Sequence, residues 1–401
     1  MSRKDFSNLA LIIIIFIAAC IETDSYLPAF PDMMIFFNTS EEAIQGLLTW
    51  NFFGICISCP FYGPLSDAYG RRLPLLVALS LFFLGSLITL FVTDLNLMLM
   101  GRVLQGIGSG GCFTLGTAIL FDAFPKEKAM LAINQLNTII PIIMATAPML
   151  GAHLNNQYGF KSNFLAITMF VGFSLFICLV FYRETLKSDQ RKDFSFLSLI
   201  KDFKRAFTCV PFWQTSIYIS LFFALYIGFL SLISVFFVLE LKVDKLFFPW
   251  FQTAILGSFV LASLSYKRVF KRLGKDFKKT GLGFSFLGAI LFCLSALLFP
   301  KNPYAMTACM MIVAVGLNFT MTLYFDECIH WLEDIKGIAA SLLTSARLLL
   351  TAIFVGISGK IYDKTVIPFA LLTTVVVLIC GICIISYEKN YAKKMQKILH
   401  H

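Results

Sequence analysis

Charge is what this sequence has least of. Only 14% of its 401 residues are Asp, Glu, Lys or Arg, against 58% hydrophobic residues and 44 phenylalanines, which excludes an ordinary soluble domain. Histidine is scarcer still: His153, His330, His400 and His401 all fall outside or at the ends of apolar runs. With no Ser/His pair or metal cluster inside those runs, a membrane-embedded enzyme has no machinery to work with, and neither enzyme activity nor a bound cofactor is expected. The first apolar run is followed by acids and prolines instead of a small-residue cleavage site, so no cleavable signal peptide is expected. Cysteines number 11, and Cys56/Cys59 and Cys380/Cys383 have C-x-x-C spacing. Both pairs lie in apolar runs without a nearby histidine, where thiols behave as small hydrophobes.

What is present is a series of runs long enough to cross a bilayer, at about 7–28, 43–66, 73–93, 97–120, 129–151, 164–183, 212–239, 246–266, 278–299, 303–325, 337–360 and 365–387. They predict an all-α integral membrane protein of twelve transmembrane helices. The net charge of +10 does not imply nucleic acid, because the bases sit between spans. One side collects 25 Lys and Arg and the other 6, so the positive-inside rule puts both termini in the cytoplasm. The two left over, Arg102 and Arg347, lie within spans.

The polar segment Glu184–Val210 reads as a linker with a short surface helix over Phe194–Phe207. It divides the chain into an N-terminal six-helix half (1–186), a cytoplasmic linker (187–210) and a C-terminal six-helix half with a short basic tail (211–401). A weak repeat agrees: a shift of 204 residues lays Gly70-Arg71 on Gly274-Lys275. Parallel halves around a midplane cavity are one transporter plan, in which the halves rock to give alternating access.

The stretch Ala19–Pro31 then raises the first chemical question. Glu22 and Asp24 lie at the far end of the first span, and an ionised carboxylate in hydrocarbon is costly unless it faces water, pairs with a base or carries a proton. The Pro28–Pro31 segment predicts the helix stop, which sets Asp24 about 9 Å and Glu22 about 12 Å below the outer end. Two residues apart means about 200° of rotation, so one acid addresses the cavity and the other a neighbouring helix. The plain alternative is that both sit among outer headgroups.

Several motifs now carry a resemblance. Gly63-x-x-x-Asp67-x-x-Gly70-Arg71-Arg72, Arg102-x-x-Gln105-Gly106-x-Gly108 and Ala147-Pro148-Met-Leu-Gly151 resemble the loop, span-four and antiporter motifs of the major facilitator superfamily. Asp24-Ser-Tyr-Leu-Pro-Ala-Phe-Pro31 and the Glu184-Thr-Leu186 exit are similar to the Bcr/CflA (bicyclomycin/chloramphenicol resistance) branch of drug:proton antiporters. The chain departs from the usual pattern at Ala68, Ala152 and Phe121. The resemblance implies the major facilitator fold, an inner-membrane location, and coupling of Arg102 to an acid of span one in proton exchange. Arg102 is placed near the inner face, where snorkelling competes with that role and direct pairing with Glu22 would need water or a tilt.

The remaining assignments follow from residue chemistry. Gly63 and Gly70 are expected to let helices two and three approach and turn tightly, while Asp67 and Asp122 pair with Arg71 or Arg72 in a cluster that latches the halves. Topology alone is the bland account of those arginines. Pro148 with Gly151 bends span five and brings it close to a helix of the other half. Gly106-Ile-Gly-Ser-Gly-Gly111 matches G-x-G-x-x-G, but mid-span small residues serve helix contact. Arg347 balances an acid across the cavity, binds an anionic substrate, or has a structural partner. Tyr26, Asn51, Asn137, Tyr226 and Asn318 are candidate cavity residues.

The expected function is proton-coupled export of hydrophobic or amphipathic small molecules, with Asp24, assisted or replaced by Glu22, cycling its proton. Uptake or export of a specific metabolite or siderophore is the alternative. Expected partners are a small-molecule substrate, protons and the lipid bilayer, with a monomer as the working unit.

Overall fold

The computed structural model describes residues 3–191, 196–332 and 335–399. Its elements are helices: α1 Arg3–Asp24, α2 Phe30–Phe37, α3 Glu41–Tyr69, α4 Arg72–Phe91, α5 Leu95–Ala123, α6 Lys126–Tyr158 and α7 Lys161–Phe181, then α8 Phe196–Thr208, α9 Val210–Val235, α10 Phe248–Leu273, α11 Phe277–Leu298, α12 Pro303–His330, α13 Lys336–Ile361 and α14 Ile367–Leu399. Among the described residues, eleven helices are long and apolar enough to cross a membrane. In addition, α6 is a continuous helix of 33 residues.

Before α8, helix α5 packs on both α3 and α4, and α1 packs on α5, α6 and α7; after it, α12 packs on α9, α10 and α11, with α13 and α14 also against α9. These two groups meet along α3 with α13 and α6 with α10. Helix α5 can enter so deeply because it is built of glycines on two faces: a Cβ at Gly106 would lie 2.1 Å from the Asn51 carbonyl on α3, and one at Gly108 would lie 2.4 Å from the Phe82 nitrogen on α4. Small residues let membrane helices approach this closely, which is the contact role expected of the Gly106–Gly111 run.

The prolines after α1 do not end the span. The helix breaks at Ser25–Tyr26, a 3-10 turn covers Leu27–Ala29 with proline near its start, and α2 continues to Phe37. Proline is tolerated in a first turn, where its missing N–H would be unpaired anyway. Counted from Phe37, Asp24 is then about 20 Å from the end of the helical segment, deeper than Pro28 as a stop would place it.

The linker helix runs over Phe196–Thr208, and Phe194 lies outside the described residues. Its Phe203 packs against Phe61 of α3, and the Ala206 carbonyl accepts from Trp213 Nε1 at 3.2 Å. The bundle end that carries the Gly70 turn is called the basic end below, the other the far end.

Candidate functional site

Glu22 and Asp24 lie in the last turn of α1, just before the helix break, and both are buried. Their 200° separation sends them to different neighbours. Glu22 Oε1 receives Arg102 Nη1 in an ion pair that is wholly shut off from solvent. The same oxygen accepts from Asn51 Nδ2 at 2.9 Å. Arg102 spends its other donors on the Leu47 carbonyl (3.1 Å), Gln105 Oε1 (2.8 Å) and the Tyr26 hydroxyl (2.6 Å), and its guanidinium lies 4.5 Å from the Tyr26 ring centre. Gln105 Nε2 extends the network to Ser86 Oγ at 3.0 Å, and Thr168 Oγ1 donates to the Ser86 carbonyl at 3.1 Å. Helices α1, α3, α4, α5 and α7 are thereby tied at one level.

This corrects the expected depth of Arg102. Helix α5 starts at the far end and its last turn brings Asp122 to Arg71 at the basic end, so Arg102, 20 residues earlier, is about 30 Å from the basic end. Helices alternate in direction, and a residue early in an even-numbered span belongs to the far side. Pairing with Glu22 is therefore direct.

Asp24 differs in kind from Glu22. Both acids keep one buried oxygen without a hydrogen-bond partner, Glu22 Oε2 and Asp24 Oδ2, but among the described residues Asp24 has no ion pair, and the unpartnered hydroxyl of Tyr226 on α9 lies within its electrostatic reach. A buried polar atom without a partner is rare enough to require a reason. Gly151 sets this position: a Cβ there would fall 1.6 Å from the Ser25 carbonyl. Gly151 thus seats α6 on the break after α1, within its own group of helices and not against the other one, while α6 reaches α10 higher up, where Thr253 Oγ1 donates to the Ala145 carbonyl at 2.8 Å. Pro148 is buried beside it.

At the basic end, Arg71 Nη1 meets Asp67 at 2.6 Å and its Nε meets Asp122 at 2.6 Å. Glu184 accepts the backbone N–H groups of Arg71 (2.9 Å), Arg72 (3.1 Å), Thr185 and Leu186 (both 3.0 Å). Burial pushes the Glu184 carboxyl up, but those four N–H bonds outweigh it and hold the group below its ordinary value of 4.5. Gly70 has φ +88°, and a Cβ on it would lie 2.4 Å from Glu184 Oε2, so the turn excludes a side chain twice over. A Cβ on Gly63, by contrast, would meet nothing within 4 Å, so close approach is not its role in this arrangement. Arg72 Nη2 donates to the Leu179 carbonyl at 3.2 Å. Every partner named here belongs to the group before α8, so the cluster braces that group and does not bridge to the other.

Of the candidate cavity residues, Tyr26 and Asn51 are absorbed into the Arg102 network. Tyr226 lines the seam with α1, and Asn318 is buried in α12. The side chain of Asn137 lies outside those described. Arg347 stacks 4.8 Å from the Phe223 ring centre, and among the described residues no carboxylate lies within ion-pair distance of it. The sequence reading missed three features. Lys245 pairs with Asp32, which also accepts from Asn155 Nδ2 at 2.6 Å, beside a far-end cavity of about 360 Å³. Gln45 Oε1 accepts from Ser358 Oγ at 3.3 Å, again across the two groups. Lys278 holds Glu327 and Glu388, both at 2.9 Å. A signal for the last was present: the shift of 204 residues that lays Gly70 on Gly274 also lays Glu184 on Glu388.

The chain belongs to the major facilitator superfamily, whose sequence profile matches residues 12–330. It is a multi-pass membrane transporter and not an enzyme. It is 28% identical to Multidrug resistance protein D of Escherichia coli K12 over 166 residues, 41% of this chain and 42% of that protein. It is 31% identical to Multidrug resistance protein MdtL of Salmonella paratyphi C over 158 residues, 38% of this chain and 40% of the relative. The matches to these multidrug relatives thus span about two fifths of their length. An uncharacterized transporter of Rickettsia felis matches at 24% over 96% of this chain and 97% of its own. Among solved structures, the peptide transporter POT in complex with sulfate superposes with a TM-score of 0.77 at 12% identity, covering 95% of this chain and 94% of that one. The xylose transporter XylE from E. coli does so with 0.68 at 13%, covering 94% and 97%. At such identities the likeness establishes the fold.

Proposed function

We propose that this transporter exports hydrophobic or amphipathic small molecules across the inner membrane in exchange for protons, as in Bcr/CflA-like drug:proton antiporters. In this reading the basic end faces the cytoplasm, twelve helices form two six-helix halves (1–186 and 211–401), and the halves rock about the seam of α3 with α13 and α6 with α10. One observation carries the coupling: Asp24 is a buried acid with an unpartnered oxygen at a helix break, facing α9 of the opposite half, while its neighbour Glu22 is already committed to Arg102. A carboxyl with no base beside it is cheap to bury when protonated and costly when ionised. Ionised Asp24 therefore demands water or a substrate group, and protonated Asp24 permits the seam to close. Proton and substrate compete for one place, and loading either expels the other. Glu22 and Arg102 hold the helix break in position, and the Arg71 cluster serves as a brace on which the half moves as one body. The likeness to multidrug resistance proteins supports the substrate range.

The test uses purified protein in liposomes with 8-anilinonaphthalene-1-sulfonate, a fluorescent anionic amphiphile, as the transported probe. An imposed proton gradient is expected to drive its flux through wild-type protein and not through Asp24→Asn, which retains downhill counterflow. Gradient-driven flux that survives in Asp24→Asn refutes the mechanism. A second reading, transport of a specific metabolite or siderophore, possibly inward, is favoured by one observation, the unpaired Arg347 at the seam. Whether the gradient loads or empties the vesicles decides direction.

A further inference from the structure

One half-buried base inside a span takes no part in that scheme. Arg347 stands eleven residues into α13, about 16 Å along the helix from its start, which is farther than the side chain reaches by snorkelling. Its Nε is sealed from solvent with no hydrogen-bond partner, and among the described residues it has no ion pair. Its neighbours are Phe223 of α9, 4.8 Å below the guanidinium, and Cys59 of α3 within electrostatic reach. The group therefore sits at the seam between the two groups of helices. Arginine stays charged in proteins, so protonation cannot relieve it as it relieves Asp24.

The surroundings describe what is missing. Phe223 and Tyr226 have ring centres 6.4 Å apart, and Tyr226 and Phe259 have theirs 6.3 Å apart, forming an aromatic wall along α9 and α10. At one end of the wall is the guanidinium with its unpartnered Nε, and toward the other the unpartnered Tyr226 hydroxyl within electrostatic reach of Asp24. Flat apolar surface suits an aromatic body, while a planar fork of donors suits a carboxylate or a sulfonate.

We propose that Arg347 is a specificity-determining residue of the transport site, and that the substrate class is an aromatic or apolar amphiphile bearing an anionic group which Arg347 reads. The proposal rests on the transporter reading for the site's purpose, but not on which way protons move. It distinguishes itself from a structural role by sign. Removing a structural arginine destabilises a protein, whereas removing a half-buried charge that has no ion pair costs little stability.

The experiment measures calorimetric binding of naphthalene-1-acetate and its neutral twin naphthalene-1-acetamide to detergent-purified protein. Wild type is expected to prefer the acid by about tenfold or more, the worth of a charge-assisted hydrogen bond. Arg347→Gln and Arg347→Met should bind acid and amide alike at the wild-type amide affinity, which shows that the site is folded, and Arg347→Lys should retain part of the preference. The Tm of Arg347→Met should stay at or above the wild-type value. Wild-type protein that fails to bind the acid, or binds both probes equally, overturns the proposal. So does a preference that survives Arg347→Gln, or amide binding lost together with a lowered Tm. Asp24→Asn should keep the preference for the acid while losing gradient-driven flux. Flux retained there with the preference still dependent on Arg347 would sink the proton-exchange reading alone.

Discussion

Two arginines lie inside the bundle, one on each side of the linker, and they are solved in opposite ways. Arg102 gives hydrogen bonds to Glu22, Leu47, Gln105 and Tyr26, so nearly every donor of a fully buried guanidinium is used. Arg347 has a ring beneath it and an Nε with nothing to donate to. The acids repeat the contrast, since Glu22 is paired and Asp24 is not. A satisfied charge in low dielectric fixes geometry, because breaking it exposes two bare ions at once. An unsatisfied one stores the cost of its own desolvation, and whatever relieves that cost binds there. On this view Glu22 and Arg102 are scaffold, while Asp24 and Arg347 are the working groups.

The largest effect expected from this comparison comes from breaking the satisfied pair. Arg102→Gln leaves Glu22 buried beside a neutral amide and should lower stability by about 3–5 kcal/mol. Adding Glu22→Gln should recover most of that loss, since two amides can hydrogen-bond where a lone carboxylate cannot. Reversible denaturation in mixed micelles measures both. If the single variant were as stable as wild type, the two arginines would not differ in kind.

Much of the fold is legible in the sequence because apolar length is a local property. Among the described residues, eleven helices long and apolar enough to span follow the hydrophobic runs, and the Gly106–Gly111 run announces tight packing that the distances to Asn51 and Phe82 match. The site is less legible because it depends on direction and on non-local partners. Arg102 reads as close to the basic face until the alternation of helices is followed, and only then does it meet Glu22. Pro28 and Pro31 resemble a stop because proline lacks an N–H, yet each falls at a helix start where that N–H is not needed. Gly63 looks equivalent to Gly70 in the motif, although only Gly70 has a positive φ and a carboxylate against its face. Nothing local distinguishes Asp24 from Glu22, since their difference lies in which helix each one faces.

A smaller effect sharpens the comparison at the basic end. Glu184 is an anion held mainly by four backbone N–H groups, with the Arg191 guanidinium at 4.0 Å as its only side-chain base among the described residues. Its carboxyl sits below its ordinary 4.5 in the folded chain, so the stability it contributes is complete above that value and is lost as pH falls through the depressed one. Glu184→Gln should therefore cost about 1 kcal/mol near neutral pH, and the gap from wild type should close as the pH drops below 4.5. Unfolding midpoints measured at several pH values check this. A gap that widens in acid would show that the N–H bonds do not favour the charged form.

The smallest effect on stability, and the sharpest contrast with Arg102, belongs to Lys245 and Asp32 at the far end. Their side chains are 44% and 29% exposed, so water screens the pair and its worth is about 1 kcal/mol at most. Yet the two residues come from opposite sides of the seam. Whatever the contact contributes is lost when the far end opens, so it biases a conformational equilibrium that the buried Glu22–Arg102 pair, internal to one group, leaves untouched. A bias of 1 kcal/mol is about fivefold in population. Lys245→Met should leave the unfolding midpoint nearly unchanged and raise the far-end-open population severalfold, with Asp32→Asn doing the same and the double variant adding nothing further. Spin-label distances between positions 38 and 243, on a cysteine-free background, would report it. Equal populations in wild type and variant would mean that the seam is held by α3 against α13 and α6 against α10, through Gln45 with Ser358 and Thr253 with Ala145, and that the exposed pair follows the motion without steering it.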